Sequence, residues 1–83
     1  MEEATVYDPM FQYGTRWYII LQMASTGQLR RTKVPFRYNR VMCKVSGDKT
    51  IQELVKGDRV QVSMEFTGGT WKLASLQRLE VNV

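Results

Sequence analysis

A regular alternation of apolar and polar side chains in residues 59–66, RVQVSMEF, constrains the fold more than any other feature. Successive side chains of a β-strand point to opposite faces, so this pattern predicts a strand with one face in a core and the other in solvent. The predicted core positions are Val60, Val62, Met64 and Phe66. The run TGGT at 67–70 predicts a tight hairpin turn into a last strand over residues 71–81.

Two earlier segments carry the same alternation. Residues 4–7 predict a first strand, which Asp8 and Pro9 should end because proline cannot donate to a strand ladder. Residues 16–23 predict a second strand, with Tyr18 and Ile20 on its outer face. Its predicted core positions are Trp17, Ile19, Leu21 and Met23.

The predicted third strand, residues 28–45, contains a conflict of parity. Its end places Val41, Cys43 and Val45 toward the core. The same parity carried backwards would bury Arg31, Lys33 and Arg37, and burying unpaired cations is costly. We therefore expect a bend at Pro35, before which Thr32 and Val34 turn inward. Residues 30–37 would then project as an exposed basic arm.

A short helix is predicted between the third and fourth strands. Ile51, Leu54 and Val55 would share its buried face, and Gly57 would end it in a left-handed conformation. Three strands, a helix and two strands predict a single all-β domain over residues 1–83, a five-stranded OB-fold Greek-key barrel. The alternative is an SH3-like barrel, which has no helix at that point.

Charge is segregated along the chain. No acidic residue lies between residues 9 and 47, a window that holds Arg16 and six bases of residues 28–44, within a chain of net charge +4. This distribution favours an anionic partner, although a basic hairpin can also serve solubility and protect a sheet edge.

The composition limits the cellular compartment and the catalytic or metal chemistry that we expect of this chain. One cysteine, Cys43, excludes an internal disulfide and indicates a reducing compartment, or at least a fold that does not depend on oxidation. The N-terminus lacks the apolar region of a secretory signal, and no apolar run is long enough for a membrane span, so we expect a cytoplasmic protein. Histidine is absent and no phosphate-binding loop motif is present, so we expect no enzyme, metal or cofactor.

Three motifs in chain order resemble the single-stranded DNA-binding protein (SSB) superfamily. They are TVYDPMFQY, YNRVMCKV, and LVKGDRVQVSMEF followed by Trp71. The family's long hairpin between strands two and three is a tight turn here, Lys44 replaces an aromatic, and no acidic C-terminal tip follows. The chain is thus similar to compact, tailless members such as the primosomal replication protein B family or small phage SSB-like proteins. The resemblance implies nucleic-acid binding and a homodimer or tetramer, in the nucleoid or a phage-infected cell.

Single-strand binders combine a cationic groove with aromatic platforms on which bases stack. The predicted stacking residues are Phe36, Tyr38 and Trp71, and the predicted phosphate contacts are Arg31, Lys33, Arg37, Arg40, Lys44 and Lys72. Tyr18 and Ile20 would either stack on bases or form a subunit interface. We expect binding of single-stranded DNA with little sequence preference, in replication, repair or recombination. The alternatives are an RNA-binding OB domain and a protein-interaction OB module.

Overall fold

Five strands close into a barrel in the order β1-β2-β3-β5-β4 in the computed structural model, which describes residues 1–35 and 51–79. The strands are β1 Glu2–Tyr13, β2 Arg16–Met23, β3 Leu29–Val34, β4 Arg59–Thr67 and β5 Thr70–Arg78. β3 and β5 pair in parallel, the other neighbours pair antiparallel, and β1 closes the barrel against β4. The predicted fold class is confirmed, since this is an all-β barrel consistent with the OB fold.

The prediction that β1 ends at Asp8 is wrong. β1 continues to Tyr13 through two register shifts, between Val6 and Asp8 and between Asp8 and Phe11. At each shift β1 contains one more residue than β2, which is the geometry of a β-bulge. A bulge leaves a residue out of the ladder, so Pro9 can lie within the strand without removing a ladder hydrogen bond.

The predicted inward orientation of Thr32 and Val34 in β3 is confirmed. Thr32 and Val34 are buried, whereas Arg31 is exposed and Lys33 is partly exposed. The expected basic arm is wrong for residues 30–34, because they pair with β2 along their length and Thr32 and Lys33 also pair with β5. The predicted continuation of this strand past Pro35, with Val41, Cys43 and Val45, lies outside the described residues.

A 3-10 turn, Ile51–Glu53, precedes β4 in place of the predicted helix. Residues three apart align in a 3-10 turn, so Ile51 and Leu54 are both buried. Val55 is 54% exposed, which contradicts its predicted place on the buried face. Gly57 has the predicted positive φ, and its N–H donates to the carbonyl of Val6, which ties this segment to β1.

The core lies inside the barrel and follows most of the predicted parity. The buried apolar side chains are Ala4, Val6, Ile19, Leu21, Met23, Val34, Ile51, Leu54, Val60, Val62, Leu73 and Leu76. Trp17 and Met64 pack partly buried against this set. Phe66 has the predicted inward parity but is 58% exposed, since it lies beyond the end of the core beside the β4–β5 turn. Among the described residues, no helix is long and apolar enough to cross a membrane.

Candidate nucleic-acid interface

Four side chains lie in register across the outside of the barrel. Phe11 of β1 is opposite Tyr18 of β2, Tyr18 is opposite Lys33 of β3, and Lys33 is opposite Lys72 of β5. Their chain neighbours Ile19, Thr32, Val34 and Leu73 are buried, so this set points away from the core. We call Phe11, Tyr18, Lys33 and Lys72 the outer row. With adjacent strands about 4.8 Å apart, it spans roughly 14 Å.

The aromatic half of the outer row has a cation beside it. The rings of Phe11 and Tyr18 have centroids 6.0 Å apart, with an interplanar angle of 30°. The guanidinium carbon of Arg31 lies 5.2 Å from the centroid of Tyr18. Both rings are partly exposed, and Ile20, opposite Arg31, is also partly exposed. The surface therefore presents aromatic area next to a positive charge.

The cations of this surface have no carboxylate partner in the described part of the chain. The ion pairs described there join Arg30 to Glu2, Arg59 to Glu3 and Arg78 to Asp58, at 3.3, 2.7 and 3.9 Å. None of these pairs includes Arg31, Lys33 or Lys72. Glu65 of β4 is in register with Lys72 and ends the basic part of the row. The charges of Arg31 and Lys33 thus remain available to an anionic ligand.

A separate cluster closes one end of the barrel. Arg30 donates from Nη1 to Glu2 Oε2 at 3.3 Å and to Met64 Sδ at 3.6 Å. Its guanidinium carbon lies 4.0 Å from the centroid of Trp71, and the rings of Trp71 and Phe66 are 5.0 Å apart. We call Glu2, Arg30, Met64, Phe66 and Trp71 the barrel-end cluster. The Arg30 side chain is only 14% exposed, so its charge is used within the fold.

Trp71 and Lys72 lie on opposite sides of β5, although both were expected at the binding surface. Trp71 is in register with Thr32 and Phe66 on the inward parity, whereas Lys72 belongs to the outer row. Arg30 also covers one face of the Trp71 ring. A direct contact between Trp71 and a base stays a prediction.

Several expected site residues lie outside the described ranges 1–35 and 51–79: Phe36, Arg37, Tyr38, Arg40 and Lys44. Sequence reasoning missed Phe11, because the first strand was expected to end at Asp8 and Pro9. The signal available in the sequence was Gly14, since glycine is common in tight turns. The structure confirms a turn there, with a φ of 66° at Gly14. A hairpin about that turn brings Phe11 opposite Tyr18.

Comparisons with protein-family models, with curated proteins and with solved structures found no match to this chain. Within the described residues, no group of three or more Cys, Asp or Glu side chains is arranged to hold a metal ion. The resemblance to the SSB superfamily and the non-enzymatic character both stay predictions. The described geometry offers partly exposed rings and unpaired cations on one barrel face, which is chemistry suited to a stacked, negatively charged ligand.

Proposed function

We propose that this chain binds single-stranded DNA with little sequence preference along the outside of β1, β2, β3 and β5. The observation that carries the proposal is the outer row, which places two aromatic rings and two lysines in register across four strands. Bases offer a π face whatever their identity, so rings on a sheet can bind them without reading sequence. Lysine and arginine bind phosphates and release counterions from the strand.

The position of the outer row on the barrel supports the proposal. OB folds bind oligonucleotides on the face of strands two and three and through the loops that join strands one to two and four to five. Tyr18, Ile20, Arg31 and Lys33 lie on that face here, and Lys72 is next to it. The resemblance of three motifs to the SSB superfamily agrees with this function, with a role in replication, repair or recombination, and with a homodimer or tetramer.

In the proposed mode, Tyr18 is the central stacking residue. Phe11 extends the aromatic surface on one side, and Arg31 stands 5.2 Å from the Tyr18 centroid. Lys33 and Lys72 contact phosphates of the same strand on the other side. Because a duplex hides the faces of its bases, this mode selects single strands over duplex DNA.

Fluorescence anisotropy of a labelled oligo-dT, titrated with the protein at several salt concentrations, tests the proposal. We expect binding at low salt, with log affinity falling linearly as log salt rises. Duplex DNA of equal length should bind much more weakly, and oligo-U should show whether the strand must be DNA. Absence of oligo-dT binding at low salt refutes the function. Equal affinity for duplex refutes the stacking mode.

A further inference from the structure

A pocket of about 360 Å³ opens where β2 begins and β3 ends. Its size lies within the range of small-ligand sites, roughly 300–1,000 Å³. It is lined by Arg16, Trp17, Lys33, Val34, Pro35 and Lys72, among others. It adjoins the outer row, because Lys33 and Lys72 belong to both.

The lining divides into an apolar part and a cationic part. Trp17 and Pro35 are partly exposed in the pocket, and Val34 is buried beneath. Arg16, Lys33 and Lys72 supply three positive charges, and none of the described lining residues is acidic. No ion pair of the described residues involves Arg16. An aromatic surface beside unpaired cations fits a ligand that is flat on one side and anionic on the other.

We propose that this pocket holds one nucleotide of the bound strand, with its base against Trp17 and its phosphates held by Arg16, Lys33 and Lys72. The inference rests on the proposed function, since it extends the same strand beyond Lys33. A simple anion would satisfy the cations but would leave the indole and Pro35 without a partner. A nucleotide uses both parts of the lining.

Binding at this pocket can be followed through the fluorescence of Trp17 alone. The chain has two tryptophans, so Trp71→Phe leaves Trp17 as the single indole. We expect oligo-dT to quench Trp17 emission in this variant in proportion to the bound fraction measured by anisotropy. Thymidine monophosphate should quench it at higher concentration, while inorganic phosphate at equal ionic strength should leave it unchanged. Equal quenching by inorganic phosphate would overturn the base contact and leave only an anion site.

Failure of the subsite is distinguishable from failure of the function. If anisotropy reports binding while Trp17 emission stays constant, the subsite is wrong and the proposed function stands. If anisotropy reports no binding, both are wrong.

Arg16→Gln in the otherwise unchanged chain is an independent test, which also serves if Trp71→Phe does not fold. We expect it to lower the salt slope by about 0.7, the value for one phosphate contact on a single strand. Arg59→Gln is the matched control, because Arg59 is paired with Glu3 at 2.7 Å. It should leave the slope unchanged. An unchanged slope for Arg16→Gln would remove Arg16 from the site.

Discussion

The guanidinium group of Arg30 lies over the indole of Trp71, with its carbon 4.0 Å from the ring centroid. The same group donates to Glu2, so a strand-three cation joins the start of β1 to the start of β5. The stretch from residue 9 to residue 47 has no acid of its own, yet one of its cations is neutralised by an acid from outside it. Arg30 therefore contributes to the barrel, and the proposed binding mode assigns the ligand-binding charge to Arg31 and Lys33 instead.

We expect Arg30→Ala to lower the free energy of unfolding by about 2 kcal/mol, because it removes a largely buried cation–π contact together with the packing of the arginine stem. Urea denaturation monitored by circular dichroism measures the change. Arg31→Ala is the matched control, since Arg31 is exposed and its loss should cost less than about 1 kcal/mol. Equal losses for the two variants would contradict a structural role specific to Arg30.

Tyr18→Ala should weaken oligo-dT binding by about 1–3 kcal/mol, the usual contribution of one stacked base. Tyr18→Phe retains the ring and should bind within about threefold of the wild type, since stacking needs the ring and no hydroxyl contact is described. Anisotropy titration measures both, with circular dichroism as the check on folding. If the two variants lose affinity equally while folded, Tyr18 acts through its hydroxyl and the stacking assignment is wrong.

The double variant Lys33→Gln, Lys72→Gln should lower the dependence of log affinity on log salt by about 1.4, for two phosphate contacts on a single strand. Lys56→Gln is the control of equal chemistry, because Lys56 lies in the segment before β4, 5.0 Å from the ring centroid of Tyr7, and does not belong to the outer row. Its slope should match the wild type. If Lys56→Gln lowers the slope by about half as much as the double variant does, each lysine contributes equally. That outcome would indicate a diffuse positive surface rather than a defined row.

Ile20→Lys tests whether the outer face is a subunit interface. Ile20 is partly exposed and lies opposite Asp8 and Arg31 on the neighbouring strands. If this face binds nucleic acid, the substitution should leave the oligomeric state unchanged. The added positive charge should tighten oligo-dT binding. Multi-angle light scattering at several protein concentrations measures the mass. A drop from oligomer to monomer in this variant would assign Tyr18 and Ile20 to self-association.

The β4–β5 turn offers a prediction about stability alone. Gly68 and Gly69 have φ of 58° and 75° between the paired residues Thr67 and Thr70, which matches the positive φ values of a type I′ hairpin. Gly68→Ala should cost about 1 kcal/mol, because a β-carbon disfavours the left-handed region. Gly68→Asn should cost less, since asparagine tolerates it. Thermal unfolding compares them, and equal costs would contradict the turn type.

Alternation along the chain predicted much of this protein. β2 has the predicted bounds, β4 differs by one residue, and Ile19, Leu21, Val60 and Val62 are buried as expected. The inward turn of Thr32 and Val34 followed from the cost of burying cations. For the candidate site, the sequence predicted Arg31, Lys33 and Lys72 as phosphate contacts and Tyr18 as outward, and the structure brings Tyr18, Lys33 and Lys72 into one row. It did not identify Phe11.

The sequence by itself therefore determined the strands β2 and β4 and which of their side chains share a face, because alternation depends on neighbours in the chain. Tertiary structure decided the rest. Whether a position of inward parity is buried depends on where the barrel ends, so Phe66 is exposed and Arg30 is enclosed. Whether Pro9 ends a strand depends on the bulges that β1 forms against β2. Alignment of Phe11, Tyr18, Lys33 and Lys72 arises only from the register between strands, which no single strand encodes.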